Sequence, residues 1–265
     1  MKVYVDAVSV VAPGLQGWSK SRAVLAGDEI YQYSELEKYK PLQLPPNEAR
    51  RATELVRMAF RVAEDLMTNC TADLSQCFNV FATSGGDYPI IDQICRALCE
   101  PERLVSPTQF HNSVHNSAAG YWSIATHNRA PSTSISAHDD SFIMGLWPTI
   151  TMTLSENQPS LLVCYDIRPP EPLQQKRPIT EAFGMALLIQ PFQTEASIAS
   201  ITLRPELVAR EDTISRQEVL ESLRKANPAA RALPLLELLA ADASAILGFC
   251  KMDGQSIGLE VRSCR

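Results

Sequence analysis

Four short apolar runs constrain the fold of this chain most: 2–11 (KVYVDAVSVV), 77–83 (CFNVFAT), 160–165 (SLLVCY) and 182–190 (AFGMALLIQ). They are rich in β-branched or bulky apolar residues, and the first two stop at the turn signals Pro13-Gly14 and Ser84-Gly85-Gly86. They read as buried strands, with a shorter β-branched one at 132–137 (STSISA). Helix-length segments lie between them. Pro45-Pro46-Asn47 opens the strongest of these. In it Leu55, Val56, Ala59, Phe60, Ala63, Leu66 and Met67 recur at helical spacing, opposite Arg50, Arg51, Arg57, Arg61 and Glu64. Further helices are expected at 89–99, at 115–126 and after Asp139 or Asp140, either of which can cap a helix start. Pro148 should kink or shorten that last helix. Residues 15–44 read as a loop-rich excursion with a short helix from about Ser19 to Ala26. The alternation predicts an α/β layer structure: a mostly parallel sheet of about five strands with helices on both faces.

The chain changes character near residue 192. EVLESLRKA and LPLLELLAADASAILGF read as helical, Pro228 and Pro234 punctuate them, and GLEVRS suits a terminal strand. The expected organisation is an α/β domain over 1–192 and a helical C-terminal extension over 193–265 packed on it.

Charge narrows the partners. Thirty acidic residues against twenty-four basic ones leave a net charge of −6, the wrong sign for a protein that grips nucleic acid or an anionic membrane. No run approaches the roughly 18 apolar residues of a spanning helix. Asp6 interrupts the first apolar run, which argues against a secretory signal and points to the cytoplasm. Seven cysteines, at 70, 77, 95, 99, 164, 250 and 264, are odd in number and irregular in spacing, as reduced thiols would be. Cys95 and Cys99 share a helical face, but no further ligands stand at metal-binding spacing.

The search for catalytic motifs is mostly negative. There is no G-x-S-x-G elbow and no phosphate-binding G-x-x-x-x-G-K-[ST] loop, and Gly85-Gly86 falls short of a dinucleotide fingerprint. His111 and His115 have the spacing of a zinc helix but lack the intervening glutamate, so a hydrogen-bonded pair near a surface or interface is expected, with no metal. Ser136, His138 and Asp139 mark a corner at the carboxyl edge of the sheet. Neighbours at one turn rarely face one another as a triad, so a helix cap with an exposed histidine is the plainer reading. No cofactor is implied.

The segment 105–126 (VSPTQFHNSVHNSAAGYWSIAT) resembles a stretch of β-ketoacyl synthases in which a Ser-Pro precedes a loop and an Asn-x-x-Ala-Gly opens a helix. Here those positions are Ser106-Pro107 and Asn116, Ala119 and Gly120. VYVDAVSVVAPG, VFATSGG, SISA, SLLVCYD and EAFGMALLIQP follow in the order of that family's strands, so the resemblance covers about 1–192 and implies one half of a thiolase-like fold. Two departures stand out. The family's nucleophilic cysteine follows the SISA-like strand. Here counting forward from Ile135 puts Asp139 at that position, and counting back from Gly145 puts Ala137 there. The family's two catalytic histidines lie in a second half, and no histidine follows His138.

The resemblance therefore implies a catalytically inactive, half-length homologue. It is similar to a chain-length-factor subunit of the short kind found in aryl polyene-type pathways. Such a subunit would pair with an active β-ketoacyl synthase, help wall the acyl tunnel and meet an acyl carrier protein. The implied partner and tunnel residues are Phe110, Ser113, Val114, His115 and Asn116, with Val114 as the lining candidate. Ala137, His138, Asp139 and Asp140 form the inactive corner. The bland alternative is that Phe110 and Val114 are core residues. Two other functions compete: a free-standing carrier-protein-binding module, and a small acyl-thioester hydrolase or transferase based on Ser136, Ser141 or Asp139.

Overall fold

The computed structural model describes residues 1–206, 211–251 and 253–265. One mixed sheet runs through the molecule. Its strands are β1 (Lys2–Ala12), β2 (Leu15–Gln16), β3 (Phe78–Ala82), β4 (Ser132–Ile135), β5 (Ser160–Asp166), β6 (Phe183–Gln190), β7 (Ala199–Arg204), β8 (Ala245–Cys250) and β9 (Ser256–Ser263). They lie in the order β4-β3-β5-β6-β1-β7-β9-β8, with β2 folded back on β1.

β4, β3 and β5 are mutually parallel, whereas every other pairing is antiparallel. The sheet is thus mixed rather than mostly parallel, and longer than five strands. The cause lies in the β5–β6 connection. That proline-rich link holds only the four-residue helix α8 (Leu173–Lys176), too short to carry the chain back for a parallel strand.

Two apolar layers cover the sheet. On one face Val3, Val5, Val8 and Val10 of β1 join Leu162 of β5 and Leu187 of β6. They pack under α1 (Trp18–Ala26), α7 (Ser141–Glu156) and α10 (Leu233–Ala240). On the other, Ala7, Val11, Leu161, Val163 and Leu188 pack under α3 (Glu54–Thr68) and α6 (Ser117–Thr126). There the Phe60 and Trp122 rings meet edge to face at 5.4 Å. β1 keeps its valines on one face across three residues, from Val5 to Val8, because its register slips between Val5 and Ala7. Asp6 sits at that bulge and accepts from the hydroxyls of Ser197 (2.7 Å) and Thr194 (2.8 Å).

The helix expected from Pro45 onward is two helices, α2 (Pro46–Arg51) and α3, because Ala52 is extended and the Thr53 hydroxyl accepts from Val56 N to start the second. α4 (Tyr88–Cys99) lies where expected. The helix expected at 115–126 is α6, preceded by the separate α5 (Pro107–Asn112). α7 runs through Pro148 without ending. Gly145 lets α7 approach the sheet, since a Cβ there would lie 2.8 Å from Ala82 Cβ.

The C-terminal region is helical only in part. α9 (Glu218–Ala226) and α10 fall in the expected stretches, but β7, β8 and β9 continue the same sheet. α10 stops at Ala240, and Asp242 adopts φ +48° before AILGFC takes up strand geometry. No helix among the described residues is long and apolar enough to cross a membrane.

Candidate functional site

The parallel strands β4, β3 and β5 end on the same side of the sheet, and the chemistry-bearing residues collect at those ends. β4 leads through a tight turn, His138–Asp140, into α7. His138 has φ +53° at this strand-to-helix elbow, a left-handed conformation uncommon outside glycine. Ser141 locks the turn: its hydroxyl donates to His138 O at 2.7 Å and accepts from Ala137 N at 2.9 Å. Arg177 Nη1 donates to Asp139 Oδ1 at 2.6 Å and lies 3.3 Å from His138 Nδ1.

The caps differ from expectation. Asp140 stands at the N-cap of α7 without capping it through its side chain; its Oδ1 accepts from Arg231 instead. Asp139 is taken by Arg177. A catalytic triad is not assembled: Ser136 is exposed and makes no hydrogen bond to His138, and the Ser141 hydroxyl is spent on backbone.

Asp166, at the end of β5, is buried. Its Oδ1 accepts from Thr83 Oγ1 (2.9 Å), Ser84 N (2.8 Å) and Ser84 Oγ (2.8 Å). Burial pushes its carboxyl up to about 6, against the pull of the Ser84 and Thr83 donors and the Arg177 charge. The same burial pushes the Cys77 thiol up to about 12 and raises Cys164 as well, so neither is a thiolate at neutral pH.

A cavity of about 200 Å³ opens beside the Ser84-Gly85-Gly86 turn, bounded by that turn, α4 and the 113–117 segment. Val114, Ser113 and His115 line it together with Leu55, Ile91 and Tyr165. Asp87 caps α4, its Oδ1 accepting from Ile90 N at 3.1 Å. Burial raises the Asp87 carboxyl, and the nearby Thr53 hydroxyl and the Ile90 amide oppose the shift. Burial and the Asp87 and Asp166 charges also raise the Tyr165 phenol.

Phe110 and Val114 are not core residues: they are 68% and 49% exposed. Asn116 and His115 are exposed as well, and Ser113 is half-buried with its hydroxyl on Phe110 O at 2.8 Å. Asn112 holds the turn in place, donating to Arg51 O at 3.0 Å and accepting from Tyr121 Oη at 2.9 Å. The two histidines part company: the His111 ring lies edge-on to Tyr121, while His115 borders Gly86 in the cavity. No group of three or more potential metal ligands occurs among the described residues.

Sequence reasoning did not single out Asn112, Tyr165, Arg177 or Arg231, whose partners are distant in the chain. Asp87 carried a legible signal, an acidic residue directly before Tyr-Pro at a helix start.

The family model of the β-ketoacyl synthase N-terminal domain matches residues 18–246. No curated protein matches. Among solved structures, a ketosynthase (ApeO) in complex with its chain length factor (ApeC) from Xenorhabdus doucetiae is similar, at 20% identity, 99% of each chain and a TM-score of 0.72. The ishigamide ketosynthase/chain length factor is similar at 14% identity, 99% of each chain and 0.73. A β-ketoacyl synthase from Burkholderia phymatum STM815 is similar at 10% identity, 100% of each chain and 0.69. At these identities the likeness is one of fold, and it bears out the thiolase-like α/β half. With the family model matching most of its length, the chain belongs to the β-ketoacyl synthase family, through its N-terminal domain.

Proposed function

We propose that this chain is a non-catalytic, chain-length-factor-like subunit that pairs with an active β-ketoacyl synthase and walls part of its acyl tunnel. The observation that carries the reading is the elbow after β4. A strand-to-helix turn with a left-handed residue at its apex is the geometry that presents a nucleophile. Here it presents His138 and an ion-paired Asp139, and no cysteine lies within it. A carboxylate is a far poorer nucleophile toward a thioester than a thiolate.

The sheet order supports a partner surface beside β4. β4 is an edge strand, paired on one side only and half-buried along three of its four residues. Leu98, Leu104, Phe110, Val114 and Ile124, on the helices and loops that lead toward it, are large apolar residues left exposed. An obligate interface of about 2,000 Å² would cover such a face. An acyl carrier protein is the third member, since the growing chain must arrive as a thioester. Lys40, Arg50 and Arg57 line a cleft together with Tyr39, Pro46 and Ala49, which suits the phosphodiester of a carrier's prosthetic arm. The complex would work in the cytoplasm, in polyketide or fatty-acid-type elongation of the aryl polyene-like kind.

The test is co-expression with an active ketosynthase of the ApeO type. Stable co-purification and elongation by the pair are expected. The isolated chain should neither become acylated nor decarboxylate a malonyl thioester. His138→Ala and Asp139→Ala should leave the pair's activity within a few fold. A hundredfold drop, about 2.7 kcal/mol of barrier, would make the elbow catalytic. A chain that binds carrier protein but no ketosynthase would instead be a free-standing module.

A further inference from the structure

The sheet has two edges, β4 and β8. The outer side of β8 is occupied by residues 212 and 213 of the chain itself. Thr213 N donates to Gly248 O at 2.9 Å, and Thr213 Oγ1 accepts from Gly248 N at 2.8 Å. Asp212 Oδ1 accepts from Cys250 N at 2.6 Å. Two of these three bonds come from side chains, so the segment closes the edge without becoming a strand whose own far side would need cover. It is also tied down from behind. Asp212 Oδ2 accepts from Arg231 at 2.8 Å and from Arg224 at 3.4 Å, and Ser215 N donates to Glu221 Oε2 at 2.9 Å.

In an antiparallel pair every second residue turns its N–H and C=O away from the neighbouring strand. Gly248 and Cys250 bond outward in this way, so Ile246, 57% exposed, stands in the same row. The row is self-complementary. A two-fold axis through Gly248 would set Gly248 opposite its own copy and Ile246 opposite Cys250 of the second copy. Gly248 faces Gly258 across the ladder, so no Cβ stands in the way of a backbone that approaches there.

We infer that Asp212 and Thr213 form a built-in guard that keeps β8 from pairing antiparallel with β8 of a second copy, which confines strand addition to the β4 edge. An unguarded edge is a template for another chain, and a sheet open at both edges would link copies end to end. The inference goes beyond the partner reading and stands or falls without a ketosynthase.

The test is a disulfide cross-link in the isolated full chain. Ile246→Cys supplies the probe, because in the pairing described its Cα would lie about 5.5 Å from that of Cys250 in the second copy, within disulfide reach. Asp212→Gly/Thr213→Gly removes both side-chain acceptors of the guard. Under mild oxidation the guarded Ile246→Cys chain should form little linked dimer, read on a non-reducing gel. The unguarded Ile246→Cys chain should form about tenfold more, and Cys250→Ser should abolish the increase. Val163→Ala weakens the core far from β8 with the guard intact, so it should not raise cross-linking. Circular dichroism checks folding. Where the double glycine variant does not fold, Thr213→Ala removes one acceptor alone and should still raise cross-linking several-fold. Equal cross-linking with and without the guard, an increase that Val163→Ala reproduces, or no increase in a folded unguarded chain would overturn the inference.

Discussion

Arg231 Nη1 donates to Asp140 Oδ1 at 3.0 Å, joining the segment before α10 to the elbow that ends β4. The same guanidinium donates to the Asp139 carbonyl at 3.2 Å and to Asp212 Oδ2 at 2.8 Å, and Arg224 reaches Asp212 as well. The C-terminal region is therefore clamped to the inactive corner by charge-assisted bonds whose side chains are at most 24% exposed. Arg231→Met keeps the apolar stem and removes the donors, leaving two carboxylates and a carbonyl with lost partners. It should destabilise the chain by about 2 kcal/mol, read from urea unfolding. A loss under about 0.5 kcal/mol would mean that solvent screens the clamp.

Asp166 should give the chain a distinctive pH dependence. Its folded carboxyl is raised to about 6, above the ordinary value of 3.8, so between those pH values the folded state binds more protons than the unfolded one. This group's contribution to stability is therefore greatest below about pH 4, declines as pH rises to about 6, and stays at the lower level above. Asp166→Asn preserves an oxygen for Thr83 and Ser84 and cannot ionise. The variant should be the more stable of the two at pH 7.5 by up to about 3 kcal/mol, and the difference should shrink toward pH 4.5. A difference independent of pH would show that Asp166 is ionised without penalty.

The way these residues were distributed explains what the sequence could disclose. β1, β3, β5 and β6 were legible because Val3, Val80, Leu162 and Leu187 belong to runs apolar enough to need cover on both faces. Direction was not legible, because whether β6 runs parallel or antiparallel to β5 depends on the path of 167–182 and not on β6's own residues. β8 was hidden by composition: AILGF reads equally well as the end of a leucine-rich helix, and only the left-handed turn at Asp242 separates the two. The 113–116 turn was found through its resemblance to a family motif. Its neighbours Asp87 and Tyr165 come from segments about 30 and 50 residues away, and no local pattern in 113–116 names them.

Phe110 separates an interface residue from a packing residue. Buried phenylalanines cost about 3–5 kcal/mol when cut to alanine. Phe110 is 68% exposed on α5, so Phe110→Ala should change the isolated chain's unfolding free energy by no more than about 0.5 kcal/mol. Affinity for a ketosynthase partner should fall by about 1–2 kcal/mol, as for an aromatic anchor, measured by calorimetry or by subunit exchange. Unchanged affinity would move the interface away from α5.

Val114 carries the sharpest statement about product length. It is half-exposed, lines the cavity, and sits two residues before Asn116 at the foot of α6. Neither Val114→Phe nor Val114→Ala should disturb the lone chain by more than about 0.5 kcal/mol, because little of its packing is internal. In an elongating complex the two should act in opposite directions. Phenylalanine fills space that a chain end would otherwise occupy, so products should shorten. Alanine enlarges the space, so products should lengthen. Mass spectrometry of the products from each assembled complex makes the comparison directly. Equal distributions from complexes of equal stability would show that the chain end never reaches this wall, and Val114 would then belong to the partner interface alone.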